Sequence, residues 1–357
     1  AVGVIGLLAA VSAWPRGREV VFATNVEAAD ATLALADGRA QRLPLAAAGD
    51  RAQGRQQQPG RTLATLLIAA VSATACAQFN HAQLNSPVAL SAVPAITPAP
   101  RVALVLGSGG PRGYAHIGVM RVLEDAGIRV DLVVGSSVGA LLGSFWAHGY
   151  SAQALDDLSQ TGGPLTVFDF SVFADRGWIH GQRLQDYVNK GLNHSNIEDM
   201  PRPFIAVATR LHDKQPVFFN TGNVGVAVRA SSAVHRVFSP MGIHGVEYED
   251  GDESLPVAVR AARQAGARFV IAVDVTARPG SAPEGTSAAR LEREARRRAR
   301  IDPELQHADF VIHPDMGFAT RPTTAFFQMA RQSGEREAQR LLPQLKAALQ
   351  NQSGRTP

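Results

Sequence analysis

Ser137 sits at the centre of Gly135-Ser136-Ser137-Val138-Gly139, a G-x-S-x-G sequence. A serine on a sharp strand-to-helix turn projects its hydroxyl out of the sheet, and the flanking glycines avoid clashes there. Upstream, Gly107, Ser108, Gly109 and Gly110 let the backbone turn tightly and leave amides bare. Bare amides beside a nucleophile bind an oxyanion, worth about 10²–10³ in rate per donor. The chemistry these residues suit is attack on an acyl carbonyl through an acyl-serine intermediate. A lone G-x-S-x-G is weak evidence, and its setting decides what it is worth.

The setting is residues 102–143. Val102–Leu106 is an apolar run of the kind a buried parallel strand uses. Ala115–Ala126 carries Ile117, Val119, Met120, Val122 and Leu123, enough to pack one helical face on a sheet. Val130–Val134 is predicted as a second buried strand that runs into the Ser137 elbow, with a small apolar helix from near Ala140. Its dipole points at the reacting centre. Further strands are predicted at Phe204–Ala208, Pro216–Asn220, Phe269–Asp274 and Ala308–His313. Val257–Ala265 and Gly334–Leu349 read as helices, Ala230–Phe238 as a loop or short helix, and Tyr248–Asp252 as an acidic turn. Alternating strands and helices without repeats argue for an α/β fold with a mostly parallel central sheet.

With 357 residues, 45% of them hydrophobic, the chain can build one large or two ordinary domains. Its 35 basic and 31 acidic side chains, net +4, give no argument for a nucleic-acid partner. One cysteine excludes an internal disulfide framework and a cysteine-rich metal site. Residues 1–60 read as a low-complexity or non-native extension, with no methionine before Met120. Residues 61–76 read as a signal peptide: Arg51, Arg55 and Arg61 precede the apolar run Leu63–Ala75. Ala73-Thr74-Ala75-Cys76 resembles a bacterial lipobox, which makes Cys76 a lipidation site. Ala77 after the cysteine points to an outer-membrane lipoprotein of the cell envelope, or to the cytoplasm if the signal is not used. Residues 77–100, with four prolines, are expected to form an extended tether.

Residues 101–350 resemble a bacterial patatin-like phospholipase domain. The matching pieces are Gly107–Gly118, Gly135–Gly139, Arg176–Gly181, Ala208–Leu211, Arg229–Val234 and Asp250-Gly251. The resemblance implies a three-layer α/β/α fold and a lipid acyl hydrolase acting on phospholipid or another lipid ester at a membrane surface. It implies a Ser–Asp dyad, Ser137 as nucleophile and Asp250 as base, with no metal or cofactor. Gly109, Gly110 and Arg112 fall at the oxyanion loop, and Gly135 and Gly139 flank the nucleophile. The sequence departs from the family at four places. Pro111 has no amide hydrogen to donate. Asp252 sets a second carboxylate near the base, where like charges raise one pKa. His235-Arg236 stands where Pro-Gly is usual, and Arg210 where Asp is frequent.

Other readings compete. A Ser-His-Asp hydrolase with His307 or His313 fits the chain order. A catalytically impaired lipid-binding lipoprotein of the same fold fits the departures. A dinucleotide site fails because Arg112 breaks G-x-G-x-x-G. Phe168, Phe170, Phe173 and Trp178 suit either core or an acyl-chain groove. In 290–300, Arg290, Arg293, Arg297 and Arg300 share one face of a predicted helix. That face is either solvated or turned to anionic lipid, with Leu291 and Ala295 seating the helix.

Overall fold

The computed structural model describes residues 80–161, 169–170, 174–318 and 320–353. The signal-peptide and Cys76 readings lie outside the described residues, as do Phe168 and Phe173. The described elements run in chain order as β1 (Asn80–His81), β2 (Val102–Leu106), α1 (Ala115–Asp125), β3 (Leu132–Ser136), α2 (Val138–His148) and α3 (Ala152–Thr161). Then come α4 (Gln182–Gly191), β4 (Phe204–Arg210), β5 (Pro216–Phe219), α5 (Val224–Ser231), β6 (Met241–Ile243) and β7 (Val246–Asp250). The last are α6 (Val259–Gln264), β8 (Phe269–Val273), α7 (Ala288–Leu305), β9 (Phe310–Ile312) and α8 (Thr324–Ser353).

Nine strands form one sheet, ordered β1-β6-β7-β4-β3-β2-β8-β9, with β5 also paired to β4. The centre β4-β3-β2-β8-β9 is parallel, and β7 joins it antiparallel to β4. Central strands buried on both faces must be apolar throughout, which is why β2 and β8 read as unbroken hydrophobic runs. The period of two divides their side chains between two cores. Leu104, Leu106 and Val133 pack on one face with α1, α2, α5 and α8. Ala103, Val105, Leu132 and Val134 pack on the other with α6 and Ile301 of α7. The fold is a three-layer α/β/α sandwich with a mostly parallel sheet, as the sequence implied.

Several boundaries differ from the sequence expectation. β3 starts at Leu132 and runs through Ser136, and α2 starts at Val138 rather than near Ala140. The elbow is therefore tighter: strand passes to helix across Ser137 alone. Tyr248, Glu249 and Asp250 are strand, not an exposed acidic turn. Their polar composition suggested solvent, yet all three are buried. Buried Glu249 is neutralised by Lys214 and hydrogen-bonded by His235, whose Nδ1 lies 3.1 Å from it. A helix at Val224–Ser231 replaces the expected loop or helix at 230–238, capped by Asn223, whose side chain accepts from Val226 N.

The stretch 80–100 is extended but is not a free tether. His81 pairs with Ile243 through β1, Leu90 bridges Phe218, and Ile96 N donates to Ala265 O. Val93 is buried in the core beneath the sheet, with its amide on Gln264 Oε1 at 3.1 Å. Prolines removed donors without preventing this docking, because one apolar side chain every few residues suffices to hold an extended strap. Val93→Asp would force a carboxylate into that core. It should lower the melting temperature by roughly 5 °C and open residues 80–100 to limited proteolysis. Unchanged cleavage in this variant would restore the free-tether reading.

Candidate active site

The strand β3 delivers Ser137 and α2 carries the chain away from it. Ser137 has φ 55° and ψ −123°, a conformation that costs a non-glycine residue about 1–3 kcal/mol. The surrounding packing holds it there. A Cβ at Gly139 would lie 2.1 Å from Leu106 O, and one at Gly135 would lie 2.5 Å from Ala140 Cα. Only glycine at both positions lets the helix start this close to β2 and β3. From the far side α5 braces the turn: Ser137 N donates to Ser231 Oγ at 2.9 Å, and Ser231 Oγ donates to Val207 O at 2.5 Å. Ser231 was not singled out by its chemistry in the sequence, although it lies within the Arg229–Val234 piece.

Asp250 reaches the nucleophile through strand pairing. β3 occupies one edge of β4 up to Ser136, opposite Val207, while β5 occupies the other edge. β7 takes over the vacated edge at the next position, with Asp250 opposite Ala208. The end of β3 and the end of β7 therefore abut. Ser137 Oγ donates to Asp250 Oδ2 at 2.6 Å across 113 positions of sequence. Asp250 is also held by its backbone, its amide on Ala233 O and its carbonyl accepting from Thr209 Oγ1 at 2.7 Å. Burial, with the Asp252 carboxylate second, pushes Asp250 up to about 7.

The crowding expected from Asp252 is real, and a cation answers it. Asp252 N donates to Asp250 Oδ1 at 2.8 Å. The Asp252 carboxylate accepts from Ser108 Oγ and pairs with Arg297 Nη2 at 2.7 Å. Arg297 also donates to Ser108 Oγ at 3.0 Å, so one guanidinium ties α7 to the glycine loop and to the acidic pair. The expected arginine stripe is thus partly turned inward. Arg290 stacks on Phe318, with Cζ 4.5 Å from the ring, and Arg298 pairs with buried Asp274. Leu291 and Ala295 are exposed and do not seat the helix; Ile301 and Glu304 do.

In the glycine loop, Gly107 N donates to Val273 O and Ser108 N to Pro256 O. Fully buried His116 donates its Nε2 hydrogen to Gly107 O at 2.8 Å, and burial pushes its pKa down to about 4. These bonds fix the loop floor. The amides of Gly109 and Gly110 have no protein acceptor among the described residues. Gly110 has φ 52°, where a glycine is at ease, and Pro111 follows as the start of a short 3₁₀ turn, Gly110–Tyr114. Arg112 is not an exposed donor beside them. Its amide donates to Gly109 O at 3.2 Å and its guanidinium donates to Phe318 O, so it shapes the loop from within.

No histidine hydrogen-bonds to Ser137 among the described residues. His313 instead donates its Nε2 hydrogen to Thr276 O at 3.0 Å. The Ser-His-Asp reading therefore has no histidine at the nucleophile. Among the described residues, no cluster of three or more His, Cys, Asp or Glu side chains is arranged to hold a metal. No described helix is long and apolar enough to cross a membrane.

Residues 104–259 match the family model of patatin-like phospholipase. Over this stretch the chain is similar to patatin-like phospholipases. An uncharacterized NTE family protein of Mycobacterium tuberculosis is 38% identical over 167 residues, 44% of this chain and 45% of that protein. The lysophospholipase NTE1 of Coccidioides immitis is 29% identical over 189 residues, 52% of this chain and 12% of that protein. The chain thus spans under half the length of the mycobacterial relative. Among solved structures, VipD from Legionella pneumophila aligns with a TM-score of 0.46 at 14% identity, covering 73% of this chain and 71% of that one.

The site carries a pH signature of its own. Asp250 is raised from 3.8 to about 7, so its ionisation is harder in the folded state than in the unfolded chain. The associated stability is fully present below about pH 4, is lost as pH rises through 7, and amounts to about 4 kcal/mol. Asp250→Asn should therefore be more stable than the parent at pH 8 and nearly equal to it at pH 4, by chemical denaturation at both. Equal stability at pH 8 would mean that Asp250 ionises freely in the native state.

Proposed function

We propose that this domain hydrolyses carboxylic esters of lipids through an acyl-serine at Ser137, with Asp250 as general base. The observation that carries the reading is the 2.6 Å bond from Ser137 Oγ to a buried aspartate, beside two unused glycine amides. A carboxylate of ordinary pKa is a weak base for a hydroxyl, and a group near 7 is much better matched to the task. Asp250 takes the Ser137 proton as Oγ attacks the acyl carbonyl. The developing oxyanion lies toward the amides of Gly109 and Gly110, aided by the N-terminus of α2. Asp250 returns the proton to the leaving alcohol, then deprotonates a water that releases the fatty acid. The family model and the lysophospholipase names of the fungal relatives support a lipid ester as substrate.

Ser137→Ala should abolish acyl-chain release from phospholipids and short p-nitrophenyl esters, and labelling by a fluorophosphonate. His307→Ala and His313→Ala should stay within a few-fold of the parent, about the effect of an ordinary surface change. Loss of activity in a folded histidine variant would overturn the dyad. A protein that binds lipid yet never takes the label would instead fit the impaired lipid-binding reading.

The proposal extends to location. A basic segment, an apolar run and Ala73-Thr74-Ala75-Cys76 support export and acylation at Cys76, with the domain held at the outer membrane. Radiolabelled palmitate should enter the parent and not Cys76→Ser, and its absence from the parent would end the lipoprotein reading.

A further inference from the structure

We propose that Trp178 and the loop Val234-His235-Arg236-Val237 form the surface that seats this domain on an anionic phospholipid bilayer. The inference rests on the lipid-ester reading for its occupant and goes beyond it in naming the face. Trp178 is 67% exposed, Val234 41% and Val237 40%, and the two residues between the valines are exposed as well. These side chains belong to one patch because the two segments are joined: Trp178 N and Ile179 N both donate to Val237 O, at 2.8 and 3.0 Å. Ser239 N returns the bond to Ile179 O at 2.8 Å.

The patch is built from beneath. Arg229 of α5, fully buried, donates Nη2 to His180 O and to Ser239 O, tying the two segments together under the exposed side chains. The buried arginine thereby holds the backbone of both segments in place beneath the patch. The patch also adjoins the chemistry. The loop follows directly from Ser231, which holds the Ser137 amide, and from Ala233, whose carbonyl holds the Asp250 amide.

Its composition selects the occupant. An indole, with an apolar body and a polar N–H, suits the headgroup boundary of a bilayer, and valines beside it add area without charge. Exposed Arg236 has no ion-pair partner among the described residues, whereas Lys214 is spent on Glu249. Apolar groups beside an unpaired cation fit a negatively charged leaflet. On the alternative cationic face of α7, Arg290 and Arg297 are engaged with Phe318 and Asp252, which leaves Arg293 and Arg300 as the rival cations.

The test uses the full chain with Ser137→Ala, so that lipid is not consumed, and Cys76→Ser, so that no acyl anchor contributes. It should co-sediment with phosphatidylcholine vesicles containing roughly a third phosphatidylglycerol. Trp178→Ala with Val237→Ser should weaken that binding about tenfold, whereas Trp178→Phe should largely keep it. Arg236→Gln should weaken it about fivefold on the anionic vesicles and not on pure phosphatidylcholine. Failure of the parent to sediment, or parent-like binding by the Trp178→Ala, Val237→Ser variant, overturns the proposal. So does loss of binding in Arg293→Gln, Arg300→Gln on α7 instead, or a concentration-dependent dimer that the patch variants abolish. Because the parent is already inactive, this outcome is independent of hydrolysis. Vesicle binding together with no Ser137-dependent acyl release in the unmutated chain would sink the hydrolase and leave the docking face standing.

Discussion

The Ser137–Asp250 hydrogen bond depends on a shared edge of β4. β3 uses that edge through Ser136 and β7 uses it from Asp250, in consecutive registers. Had β3 run one residue further, Asp250 would have lost its place opposite Ala208. The strained Ser137 is thus more than an exposed turn: it ends the strand abruptly and clears the edge for the base. Gly135 and Gly139 make the abrupt ending possible by letting α2 start against β2. The bond through Ser231 to Val207 then prevents the turn from relaxing. Strain at the nucleophile and placement of the base are one constraint.

Electrostatics adds a second layer. A buried carboxylate alone would sit protonated well above its ordinary pKa, and a second carboxylate beside it worsens this. Asp252 both repels Asp250 and donates its amide to it, while Arg297 and Ser108 hold its own carboxylate. The net result near 7 is a compromise between burial and ionisation. A deeper or unpaired Asp250 would remain a neutral acid, and a solvated one would be too weak a base.

The elbow was legible in the sequence because its signals are local: a buried strand, glycines at fixed offsets and a small apolar helix all lie within residues 102–143. Asp250 could be reached only through resemblance, since pairing across 113 positions leaves no local trace. Its strand was misread as a turn because polarity normally marks solvent, and here Glu249 and Asp250 are buried with partners from other elements. The strap at 80–100 was misread for the opposite reason. Its prolines signal an unpaired backbone, but burial of Val93 and contacts at Leu90 and Ile96 need few backbone bonds. Arginines spaced along α7 pointed to one face, and spacing alone does not say whether that face meets water or carboxylates.

That last ambiguity bears on how the site is tuned. The family match ends at residue 259, and the nucleophile, base and glycine loop all lie inside it. Arg297 lies outside it, on a helix that reaches back across the sheet's C-terminal edge to Ser108 and Asp252. Phe318, also outside, accepts from the Arg112 guanidinium that shapes the loop and stacks against Arg290. The reacting groups and Asp252, which raises the base, thus lie within the matched stretch, and the cation that holds Asp252 comes from outside it. Asp252, an extra carboxylate beside the base, meets such a cation at 2.7 Å. The two features make physical sense as a pair: the Asp252 carboxylate anchors α7 and the glycine loop, and Arg297 pairs with the charge that this anchor brings beside the base.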